Sequence, residues 1–248
     1  MTDRSLAGRV ALITGGGGAG MGHGLTLGFA RAGARVAVGA RADQERAERV
    51  AAEARALGVE AITVMGDLSE PDTAARVVER VTSEFGPIDI LMHCVGYRKN
   101  MPLVDVPIEE WRRTLDANCS SLFYLSRLVL PGMMERGWGR IVAIGGTAAT
   151  RPTRNHAAVA VAKAGVVALC KTIAAECGEY GVTANVVSPA VTEGMPAASR
   201  TPERLKTYLP IPRPARFEEI ATACVFLASD DAAYTTGQIL RVDGGLEL

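Results

Sequence analysis

The chain has 248 residues, enough for one large domain with a sizeable core, and a single domain over 1–248 is expected. Lys and Arg number 27, as do Asp and Glu, so the formal net charge is zero; no like-charged block invites nucleic acid or a membrane surface. No run approaches the roughly 18 apolar residues of a membrane span, and no cleavable apolar start or paired metal-ligand spacing is evident. The five cysteines suit reduced thiols, so a cytoplasmic protein without a metal site is expected.

Taken in order, the first apolar run is RVALIT (9–14), and it enters a glycine-rich turn followed by a helical pattern to residue 33. In that strand, turn and helix, Gly15, Gly20 and Gly22 are the key glycines, with Met21 between them; backbone N–H groups there can meet a pyrophosphate that a Cβ would hold away. RVAVGA (35–40) is the second strand and ends at Ala40 and Arg41. An acid at that point would bind the ribose hydroxyls of NAD, whereas a guanidinium offers paired donors to a 2′-phosphate, so NADP is the expected cofactor.

The stretch 43–58 predicts a surface helix with Ala47, Val50, Ala51, Ala54 and Leu57 on one stripe and Gly58 as its stop. AITVMG (61–66), IDILMHC (88–94), RIVAIG (140–145), VTANVVSP (182–189) and QILRVDG (238–244) complete the strands. These runs lack polar alternation and are separated by helix-length segments, which predicts one α/β, Rossmann-like, doubly wound parallel sheet flanked by helices. The Pro-rich stretch 192–217 breaks the rhythm and is expected to be a long loop that shapes substrate choice.

The residues together resemble the short-chain dehydrogenase/reductase family over nearly the whole chain. The family's TGxxxGxG is matched, with one extra residue, by Thr14 and Gly15 followed by Gly20, Met21 and Gly22. Further matches are Asp67 and Leu68 after the third strand, Asn118 in LDANCSSLF, Lys163, SPAVTEG (188–194) and TGQILRVDGG (236–245). The resemblance implies that Asp67 and Leu68 contact adenine, that Gly96 follows in the altered NNAG stretch His93-Cys94-Val95-Gly96, that Lys163 binds the nicotinamide ribose, and that Val191 and Thr192 belong to the cofactor site. It also implies a homodimer or homotetramer, through helices resembling the family's contact helices at 119–134 and 165–176.

The family resemblance implies an Asn, Ser, Tyr and Lys working together at the reaction centre. Asn118 and Lys163 match, but Val159 stands at the tyrosine's place and Gly146 at the serine's. Thr147 is adjacent, yet alternation at a strand end points its side chain the other way. Without the general acid, carbonyl reduction would lose about a hundred- to ten-thousandfold in rate.

Two narrower resemblances point to C=C reduction. Enoyl-acyl-carrier-protein reductases carry a tyrosine seven residues before the lysine, where His156 stands here, and have a stretch similar to HCVGY (93–97); dienoyl-CoA reductases lack the tyrosine one turn before the lysine. His156 and Tyr97 are the candidate donors, with Asn118 and Lys163 the other catalytic candidates. His93 is expected to face the cofactor turn or to be a satisfied structural residue, and His23 to lie at the cofactor edge or on the surface. An NADPH-dependent reductase of an activated C=C bond in a small-molecule substrate is the leading expectation; a non-redox isomerase, dehydratase or cyclase, or a nucleotide-binding protein without activity, is the alternative.

Overall fold

A computed structural model describes residues 5–248. Seven parallel strands form one sheet in the order β3-β2-β1-β4-β5-β6-β7. They are β1 Val10–Thr14, β2 Arg35–Ala40, β3 Ala61–Met65, β4 Ile90–His93, β5 Gly139–Ile144, β6 Val182–Pro189 and β7 Ile239–Val242. The second and sixth expected strands coincide with β2 and β6, and the others shift by a residue or two at an end. The strand order reverses at β1, so a crevice opens between the carboxyl ends of β1 and β4, the usual ligand position in such sheets.

The sheet is buried on both faces because its strands are apolar on both. Ala11 and Ile13 of β1 point into one core, with Leu25 and Phe29 of α1 (Met21–Arg31), Val50 and Ala51 of α2 (Gln44–Ala56), and Ile220 and Cys224 of α8 (Phe217–Ala228). Val10 and Leu12 point into the other, with Val77 and Val81 of α3 (Pro71–Phe85), Leu122 and Leu125 of α5 (Ser121–Glu135), and Val166 and Cys170 of α6 (Ala157–Cys177). Two further helices, α4 (Ile108–Leu115) and α7 (Pro202–Leu205), lie in the connections beyond the strand ends.

Three expectations need correction. The stripe of α2 ends before Leu57: this residue is the C-cap, already off the helical face, and it is 40% exposed. The helix is started by Asp43, whose carboxylate accepts the Arg46 N–H at 2.9 Å. The segment Ala157–Tyr180 is long and apolar enough, by length and composition, to cross a membrane, with mean hydropathy 1.7, although Lys163, Lys171 and Glu176 leave it without an unbroken apolar run of that length. Its buried side, including Ala162, Val166, Cys170 and Ile173, packs on the sheet as a core helix does.

The stretch 192–217 is not one open loop. Thr192 pairs with Ala215 in a parallel bridge that closes its ends, and a turn at Ala197–Ser199 and α7 fill it.

Candidate active site

Two adjoining clefts follow the carboxyl edge of the sheet. The first, about 280 Å³, has Ala40, Arg41, Asp67 and Leu68 on its walls. The second, about 450 Å³, has Met21, Gly22, Asn118, Thr147, Val159 and Lys163. Gly15, Cys94, Val95, Gly96 and Tyr97 line both, so one elongated ligand can pass from one to the other.

The connection between them is built by the β1 turn. A Cβ on Gly22 would overlap the Gly15 carbonyl, so the first turn of α1 can press against the strand end only with glycine there. The β4 turn is held beside it, since the Thr14 hydroxyl oxygen accepts the Cys94 N–H at 3.0 Å. In the first cleft the Asp67 carboxylate accepts the Ser69 hydroxyl at 2.6 Å and N–H at 3.1 Å, and Arg41 stands 3.8 Å away. Burial pulls the Asp67 pKa up, but the Ser69 bonds and the Arg41 and Arg113 charges outweigh it and hold the carboxyl below its ordinary range.

Asn118 sits on a π-helical turn, Asp116–Ser120, between α4 and α5. Its amide donates to the Tyr97 carbonyl at 2.7 Å and the Thr114 carbonyl at 2.9 Å, while its oxygen accepts the Tyr97 N–H at 3.4 Å. Both amide hydrogens are therefore used in holding the β4 turn. Arg113 lies 4.3 Å over the Tyr97 ring, and the Glu110 carboxylate beside the phenol pushes its pKa up. That makes Tyr97 a weaker acid than a free phenol.

Lys163, on α6, is 7% exposed and donates one Nζ hydrogen to the Ile144 carbonyl at 2.8 Å. Burial lowers its pKa to about 8, with the Cys94 and Cys119 thiols acting in the opposite direction. Val159 lies one turn before it, 7% exposed, on the same cleft wall. Gly146 follows the end of β5 with φ 137° and ψ 156°.

The clefts bring together Gly15, Met21, Gly22, Arg41, Asp67, Leu68, Gly96, Tyr97, Asn118, Lys163 and Thr192. Three expected residues fall outside them. A Cβ on Gly20 would face the Phe217 ring, 3.1 Å away, and Gly18 and Ala19 line the cleft instead. Val191 lines a separate cavity with Leu209, Ile211 and Arg241. His156 is the N-cap of α6 rather than part of its helical face, and its Nδ1 is held by the Thr153 hydroxyl at 2.8 Å and the Arg154 carbonyl at 2.7 Å.

His93 is fully buried, its Nε2 2.9 Å from the Ser121 hydroxyl, and burial with the Lys163 charge pushes its pKa down to about 3. It is a neutral structural residue. His23 is at the surface, 2.8 Å from Glu53. The second cleft also carries Met195, which sequence reasoning missed, and Thr147, which it had set aside. The signal for Thr147 was a hydroxyl directly after a glycine pair at a strand end.

Residues 16–247 match the family described as enoyl-(acyl carrier protein) reductase. The chain is 35% identical over 242 residues to the 3-oxoacyl-(acyl carrier protein) reductase of Escherichia coli, covering 96% of this chain and 97% of that protein. It is also 35% identical over 242 residues to the acetoacetyl-CoA reductase of Allochromatium vinosum, covering 96% and 98%. A gluconate 5-dehydrogenase from Burkholderia cenocepacia, solved in complex with NADP and tartrate, superposes with TM-score 0.90 at 31% identity, over 99% of this chain and 98% of that one. With a glycine-rich turn leading into two adjoining clefts, one of them bearing a lysine, and with these relatives matched over nearly its whole length, the chain belongs to the short-chain dehydrogenase/reductase family and is an NAD(P)-dependent oxidoreductase.

Proposed function

We propose that the protein is an atypical member of its family, without the usual Ser and Tyr, that uses NADPH to reduce an activated C=C bond, of enone or enoyl type, in a small molecule. The observation carrying this reading is Val159: the wall position one turn before Lys163 holds an alkyl group, which cannot protonate a carbonyl oxygen. In a conjugated substrate the oxygen needs only a hydrogen bond, because the proton is taken up at the α carbon.

The residues present fit the cofactor. The crowding of Gly22 against the Gly15 carbonyl leaves the backbone bare where a pyrophosphate would approach. In this reading Arg41 would meet the 2′-phosphate, Asp67 and Leu68 the adenine, and Gly96, Lys163 and Thr192 the nicotinamide end, which fits their positions on the first and second clefts. Bound NADPH supplies the hydride. Lys163, with a pKa near 8, holds an ammonium in the second cleft at neutral pH, and Asn118 fixes the β4 turn that divides the clefts. Tyr97 shapes the same divide, and His156 lies outside this arrangement.

Supplying purified protein with NADPH and enals, enones, enoyl thioesters and 3-oxoacyl thioesters tests the reading. NADPH consumption with formation of saturated carbonyl products is expected. A second reading, ketone reduction, is favoured by the names of the relatives that are 35% identical. Turnover confined to the 3-oxoacyl thioesters, giving hydroxy products, would replace the first reading with the second.

We further propose a single domain that assembles as a homodimer or homotetramer in the cytoplasm. Phe123 and Leu128 on α5 and Val161 on α6 are 47%, 40% and 49% exposed, a large apolar surface for helices that a second copy would cover. The five cysteines, all free thiols, fit a reducing compartment.

A further inference from the structure

We propose that the Thr147 hydroxyl is the hydrogen-bond donor to the substrate's oxygen. The inference rests on the reading above, that hydride enters a carbonyl-activated substrate.

Strand alternation would turn Thr147 away from the cleft, but the strand does not continue that far. Gly145 is the last residue with a sheet bond, its N–H donating to the Val187 carbonyl at 2.9 Å. Gly146 then adopts φ 137° and ψ 156°, a conformation that essentially only glycine can take. This resets the direction of the chain. Thr147 opens the turn Thr147–Ala149, and it lines the second cleft together with Gly146, Val159 and Lys163.

The backbone of Thr147 is fixed and its side chain is not. Its carbonyl accepts the Thr150 N–H at 3.2 Å and the Arg151 N–H at 2.7 Å, while its hydroxyl makes no hydrogen bond among the described residues. Neighbouring hydroxyls are committed: Thr150 donates to Glu247, and Thr153 pairs with His156. Only three residues with hydroxyls line the second cleft, Tyr97, Thr147 and Thr192. The phenol of Tyr97 lies beside Glu110, and Thr192 belongs to the segment assigned to the cofactor. Thr147 is the one left for substrate, half-buried where a hydrogen bond to a charged oxygen counts for more than in water.

The step balances as follows. Hydride adds to the β carbon, the C=C electron pair shifts towards the carbonyl, and the oxygen gains negative charge as an enolate. Thr147 donates a hydrogen bond to that oxygen and keeps its proton. The α carbon then takes a proton from water, or from the Lys163 ammonium, which water reprotonates, giving the saturated carbonyl product; the hydride is the one that bound NADPH would supply.

Substituted phenolates, stable mimics of an enolate oxygen, test the site without turnover. Their affinity for the NADP⁺ complex is measured in the wild type, Thr147→Val and Thr147→Ser, alongside the NADPH affinity of each as a check on folding. Thr147→Val should weaken phenolate binding about ten- to a hundredfold with NADPH affinity unchanged, and Thr147→Ser should recover most of it. No phenolate binding by the wild type, unaltered binding by Thr147→Val, or no recovery with Thr147→Ser would overturn the proposal. The enone panel separates the two readings: Thr147-dependent phenolate binding without NADPH-dependent reduction would leave the donor in place and remove the reductase reading.

Discussion

Lys163 holds a charge where its surroundings oppose one. Burial brings its pKa down to about 8 in the folded chain, against about 10.4 when unfolded, so between these values the unfolded state carries more protons. Stability therefore rises with pH across that window. Urea unfolding from pH 7 to 9.5 should show about 2 kcal/mol of pH-dependent stabilisation in wild type that is missing in Lys163→Met. Activity has the opposite sign, because the ammonium is present below about pH 8 and lost above it.

At this scale the sequence was informative wherever a side chain's location follows from its place on a regular element, as for Lys163 on α6 and Asp67 after β3, both of which line the clefts. It was misleading for His156. Seven residues equal two helical turns only inside a helix, and His156 is the residue before α6 begins.

Among the elements, the β1 turn with α1 is the most constrained. Gly22→Ala would push a methyl group into the Gly15 carbonyl, which belongs to backbone and cannot swing aside. Fluorescence titration should show NADPH affinity lowered at least about tenfold, with the helical circular dichroism of the wild type retained. The strands themselves were legible because runs such as VALIT and VTANVVSP are apolar at every position and so must be covered on both faces.

What could not be read was how the chain leaves each strand. Gly20 stands against Phe217 rather than on the cleft, and Gly146, at φ 137° and ψ 156°, ends the strand geometry before Thr147. Both depend on backbone angles that glycine leaves open and only the folded contacts select.

For the whole molecule, the exposed apolar residues of α5 and α6 bear on assembly. Analytical ultracentrifugation should find a dimer or tetramer for wild type and a smaller species for the double substitution Phe123→Glu and Val161→Glu, since a buried carboxylate without a partner opposes association. A monomeric wild type would remove the oligomer proposal. The membrane-like composition of Ala157–Tyr180 was not read from the sequence, because Lys163, Lys171 and Glu176 interrupt it and leave no unbroken apolar run of that length.

Gly146 also bears on how this chain could be changed into a relative with the usual centre. Writing Ser at 146 alone places a Cβ on a glycine-only conformation, with strain of about 1–3 kcal/mol. Writing Tyr at 159 alone sets a phenol on the cleft wall beside Lys163, with glycine still at 146. The serine step thus carries a backbone cost of its own, so engineering towards that centre has to redraw the 145–149 turn first.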